Sequence, residues 1–88
     1  MSELQWEMGA PPFTDDPWNV ILYHAMSHGS YFYWHIDQIY GEDERLLGYA
    51  LYAEGTILTE AKTTAHLRYI AQEIDNIIAR RSMDEYDD

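Results

Sequence analysis

The sequence predicts an α+β domain: an antiparallel meander of three or four strands with one long C-terminal helix packed on one face. Three observations predict it. Residues 31–40 alternate at period two, with one apolar and one mixed face. Two β-favouring runs, at 46–53 and 56–61, flank the two-residue link Glu54-Gly55. Beyond Thr63 the apolar residues change to helical spacing. An all-helical arrangement is the alternative, because short apolar runs do not separate strand from helix by periodicity.

Residues 1–16 read as an acidic N-terminal arm. Gly9-Ala10-Pro11-Pro12 interrupts any regular element. Leu4, Trp6 and Met8 alternate with polar residues, which allows a short edge strand, and Phe13 can pin the arm to the domain. A single domain follows over residues 17–82, and its start has two readings. Asp16 as N-cap with Pro17 at the first helical position would begin a helix ending near Gly29. The run Val20-Ile21-Leu22-Tyr23 is β-branched and aromatic, which favours a strand over 18–26, the preferred reading.

Ser27-His28-Gly29-Ser30 reads as a turn. In the next strand Phe32, Trp34, Ile36 and Tyr40 share one face, and Tyr33, His35, Asp37 and Ile39 share the other. Phe32, Trp34 and Ile36 belong under the helix. Residues 41–45 form a polar loop. Glu54-Gly55 closes a hairpin, with Gly supplying positive φ. Thr63 or Thr64 caps the final helix. Its apolar stripe is Leu67, Ile70, Ala71, Ile74, Ile77 and Ile78, with Arg68, Gln72, Asp75, Asn76 and Arg80 elsewhere. Arg80 and Arg81 fall in the last turn, where cations suit the helix dipole. Residues 83–88 read as an acidic tail.

Composition narrows the function. Eighty-eight residues make one domain, which buries roughly 60–65% of its unfolded surface. With no cysteine there is no disulfide framework or thiolate metal site, so packing must stabilise the fold. The aromatic content of 15% is too high for a disordered acidic chain. Sixteen acids face five bases, for a net charge of −11. Residues 1–16 and 83–88 carry −4 each, and residues 17–82 only −3. Such a surface repels nucleic acid and anionic lipid and attracts basic protein. No stretch reaches the ~18–20 apolar residues of a membrane span. The acidic start does not resemble a secretory signal. The expected compartment is therefore the cytoplasm.

Groups capable of chemistry are few. His24, His28, His35 and His66, with Asp37, are the candidate metal or acid–base residues. His24 and His28 suit a metal only if they lie on a helix, and no Glu adjoins His24. His35 and Asp37 share a strand face and could hydrogen-bond. No nucleophile elbow and no phosphate loop occurs. No catalytic residue, metal or cofactor is assigned, and the chain reads as a non-enzyme. Aromatics fit binding better, since Tyr and Trp anchor interfaces at small entropic cost. The candidate partner-binding residues are Tyr31, Tyr33 and Tyr40 as aromatic anchors and Glu42, Asp43 and Glu44 as electrostatic contacts. A homodimer interface through the Tyr face is the competing use of the same residues. Acids on a surface can also imitate DNA phosphates, although flexible tail charges hold phosphate-like spacing poorly.

The chain has fewer than 100 residues, no cysteine, strong acidity and no cofactor motif. Its hairpin at 46–61 runs directly into the helix from Thr63. In these features it resembles, by general type, the small acidic proteins that phages encode against host defence, the anti-CRISPR and anti-restriction proteins. The resemblance implies a stoichiometric inhibitor acting in the host cytoplasm. Its partner would be a basic protein or nucleoprotein complex, a nuclease or CRISPR effector. No binding residue carries over position by position. The alternative is a homo-oligomeric structural or regulatory phage protein.

Overall fold

The structure, a computed structural model, describes residues 3–30 and 32–86. Five strands form one antiparallel sheet in chain order: β1 (Glu7–Met8), β2 (Ile21–Met26), β3 (Tyr33–Tyr40), β4 (Leu46–Ala53) and β5 (Thr56–Ala61). A single helix, α1 (Thr64–Tyr86), follows. This is the predicted α+β meander with one strand more. The addition is β1, where the alternating arm pairs Glu7 with His24 and Met8 with Tyr23.

Residues 18–26 resolve in favour of a strand, but it begins only at Ile21. Asp16 decides this. Its carboxylate accepts the Val20 N–H at 3.1 Å and the Ile21 N–H at 3.0 Å. Asn19 N–H donates to the Asp16 carbonyl at 3.1 Å, and Asn19 takes φ 55°. The side chain that the alternative reading made a helix cap closes a turn, as Asp does readily. Trp18, at the tip, is 86% exposed.

At the β4–β5 link Glu54 and Gly55 both have positive φ, 51° and 83°, the geometry of a type I′ hairpin. Thr63 Oγ1 accepts the His66 N–H at 3.3 Å and so caps α1.

The core lies between α1 and one sheet face. Trp34, Ile36 and Leu51 are fully buried there with Leu67 and Ala71 of the helix. Phe32 packs against this cluster, with its ring 5.2 Å from that of Trp34. Leu4 is also buried in the core, and its N–H donates to Gln72 Oε1 at 2.8 Å. The start of the arm is thereby packed into the fold.

The helix departs from the sequence reading in three ways. Its innermost row is Leu67, Ala71, Asp75 and Ala79, at i, i+4 spacing, while Ile77 is 43% exposed. Asp75, expected off the apolar stripe, is buried because it has donors to meet. Its carboxylate accepts the His28 N–H at 3.0 Å and the Trp34 Nε1–H at 3.2 Å. It thereby ties the helix to the β2–β3 connection. Finally, the helical backbone continues to Tyr86, into the stretch read as a tail. Arg80 and Arg81 therefore lie before the last turn, which holds no basic residue. No described helix is long and apolar enough to cross a membrane.

Candidate functional site

The helix covers one face of the sheet, and the other face carries the candidate site. In an antiparallel sheet, directly paired residues point to the same side. The register therefore aligns Met26 with Tyr33, His24 with His35 and Tyr52, Asp37 with Ala50 and Glu60, and Ile39 with Gly48. The mixed set Tyr33, His35, Asp37 and Ile39 falls together on this open face, as period two predicts. No lysine or arginine occurs in any of the five strands. All five bases lie in the connecting segments or on α1, at Arg45, Lys62, Arg68, Arg80 and Arg81.

The N-terminal segment folds onto one end of the open face. Gly9 N–H donates to the Leu22 carbonyl at 2.8 Å. His24 Nδ1–H donates to the Gly9 carbonyl at 2.6 Å, and its Nε2 lies 3.1 Å from Glu7 Oε2. Both ring nitrogens of this buried histidine thus face oxygen. Phe13 pins the segment as anticipated, with its ring 4.9 Å from that of Tyr33. The His24 ring lies 5.7 Å away from Tyr33.

Further along β3 the face is electrostatically tight. Burial, reinforced by the charge of Asp16, pushes the Asp37 carboxyl up to about 6. Its Oδ1 is buried with no hydrogen-bond partner, and no bond to His35 forms. His35 is held below its ordinary value, first by burial and then by His24, with Asp16 opposing.

Two grooves open beside Tyr33 and share Tyr33 and Met26 as walls. One, of about 440 Å³, runs between Phe13, Phe32, His35 and the Glu54-Gly55 turn. The other, of about 380 Å³, lies toward Glu3, Glu7 and His24. A third, of about 470 Å³, sits at the far end between Ile39, Leu47 and Lys62.

The predicted binding residues do not form one patch. Tyr31 lies outside the described residues. Tyr33 is half-buried against Phe13 and His24. Tyr40 lies seven residues on, about 23 Å along the strand. The odd spacing turns it to the opposite side. Its hydroxyl donates to Gln38 Oε1 at 2.9 Å.

Glu42, Asp43 and Glu44 adjoin Tyr40 in a loop closed by the Gly41 N–H to Arg45 carbonyl bond at 2.8 Å. Asp43 is already matched. Arg45 donates to its Oδ2 from Nη2 at 2.7 Å and from Nε at 3.1 Å, which holds that carboxyl below its usual range. Glu44 adopts φ 62°.

Sequence reasoning passed over Glu54, read only as a turn residue, and Met26. With β2 a strand, the helical spacing that would have joined His24 and His28 as metal ligands is absent. Among the described residues no group of three or more His, Asp or Glu is placed to hold a metal ion. No family model, curated protein or solved structure matches the chain.

Proposed function

We propose that the protein is a non-enzymatic, acidic protein-binding module. Its open sheet face engages a basic, nucleic-acid-handling partner and inhibits it by occupying the surface that nucleic acid would use. The observation that carries this reading is the absence of lysine and arginine from all five strands of a chain with net charge −11. The sheet thus presents Glu7, Asp37 and Glu60, rimmed by Asp16 and Glu54, with no lysine or arginine among its strands. A field of this sign accelerates encounter with a cationic surface, and on-rates fall as salt rises. Anti-CRISPR and anti-restriction proteins of phages are the functional type it would join, acting in the host cytoplasm.

The test is capture from bacterial lysate on the immobilised chain at low and high salt, followed by competition with double-stranded DNA. Retention of a basic nuclease or nucleoprotein complex that both salt and DNA displace supports the reading. Capture that DNA leaves untouched removes the competition mechanism.

A second reading, self-assembly, rests on a different observation. Among the described residues no strand pairs with the outer edge of β5, and Ile57 and Leu58 on it are exposed. Such an edge is a template for pairing with a second copy. Light scattering separates the readings: a stable dimer or ring at micromolar concentration favours assembly.

A further inference from the structure

We infer that the 440 Å³ groove between Phe13, Tyr33 and the Glu54-Gly55 turn is a receptor for an arginine side chain of the partner. This rests on the acidic protein-binding reading and specifies where and how it works. The groove combines three properties that suit a guanidinium. Its walls are aromatic: Phe13 and Tyr33 are tilted 58° to one another at 4.9 Å, and Phe32 lies behind them. Its rim carries a carboxylate, Glu54, on a hairpin turn whose two residues both have positive φ. Neither lysine nor arginine lines it, so no internal cation competes.

A planar, weakly hydrated guanidinium stacks on aromatic faces while its N–H groups reach a carboxylate. A lysine ammonium is a compact, strongly hydrated charge and loses more on entering such walls. The volume lies within the ~300–1,000 Å³ common for ligand sites. The molecule already uses the guanidinium-on-ring part of this arrangement on its helical side, where the Arg68 guanidinium lies 4.2 Å over the Tyr23 ring. The adjacent groove across Tyr33 contributes Glu3 and Glu7, so an extended basic segment crossing Tyr33 meets acids on both sides.

The test is an NMR titration of the isotope-labelled full chain with tetra-arginine, tetra-lysine and tetra-citrulline peptides at low salt. The expected result is that tetra-arginine binds at least threefold tighter than tetra-lysine, and that its largest shifts fall at Phe13, Tyr33, Glu54 and Gly55. Glu54→Gln should weaken tetra-arginine three- to tenfold. Glu73→Gln, the same charge change on the helix, should not. Equal binding of the arginine and lysine peptides, or shifts centred away from this groove, overturns the receptor while leaving the acidic-module reading in place. No salt-dependent binding of either cationic peptide overturns both.

Discussion

Replacing Asp37 by asparagine should stabilise the protein at neutral pH. Asp37 lies in β3 between Ile21 and Ala50 on the neighbouring strands, half-buried, with Oδ1 unpartnered. Its carboxyl titrates near 6 in the fold, against an ordinary 3.8. The unfolded chain therefore ionises first. Between about pH 4 and 6 the native state binds more protons, so stability falls as pH rises through 6. At pH 7.5 the whole penalty is present. A difference of about two pH units at ~1.4 kcal/mol each gives about 3 kcal/mol. Water reaches roughly half the group, and screening reduces this to about 1.5 kcal/mol. The amide introduced by Asp37→Asn carries no such charge, and one of its N–H groups could turn toward Asp16. The expected gain at pH 7.5 is therefore about 1–2 kcal/mol, or roughly 4–16 °C in Tm for a domain of this size. At pH 3, where Asp37 is largely protonated in both states, the gain should vanish. Urea unfolding of both proteins across this range measures it. A loss of stability at pH 7.5, or a difference that does not change with pH, would refute the burial argument.

Four further outcomes are expected. Asp75→Ala leaves the His28 N–H and the Trp34 indole N–H without their acceptor, and should cost about 3 kcal/mol by urea unfolding, with Asp75→Asn losing less. Leu4→Ala should cost about 2 kcal/mol, because the start of the arm fills the core; an exposed arm would show no change in the same assay. Glu54→Asn places the preferred residue at the first type I′ position and should raise thermal stability by about 0.5–1 kcal/mol. Reversing Glu42, Asp43 and Glu44 to Lys should slow association with a basic partner and flatten its salt dependence. Unchanged kinetics in stopped-flow mixing would place that loop outside the interface.

Much of the architecture was legible from local pattern. Alternation at 32–39 divided Trp34 and Ile36 from His35 and Asp37, and burial follows that division. The hairpin strands fall at Leu46–Ala53 and Thr56–Ala61, as read around Glu54-Gly55. Period-based reasoning was weaker where one residue type serves two geometries. Asp16 caps either a helix or a turn, and only the backbone around Asn19 chose. The helix stripe was displaced for a similar reason. Ranking by hydrophobicity put Ile77 inside and Asp75 outside, whereas Asp75 is drawn in by two donors 47 and 41 residues away.

The candidate site was less legible than the fold. Its acidity and its aromatic content are properties of composition and needed no coordinates. The grouping of Phe13, Tyr33 and Glu54 around one groove joins three distant stretches of chain, and no local period encodes it. Period two already put Tyr33 and Tyr40 on opposite faces, and the seven residues of strand between them keep them apart in distance as well. Side-chain alternation and net charge are short-range or additive quantities, so a linear sequence determines them. Register, the fold-back of the N-terminal segment and the choice of partner for a buried carboxylate are set by packing between distant segments. Only the tertiary structure could decide those.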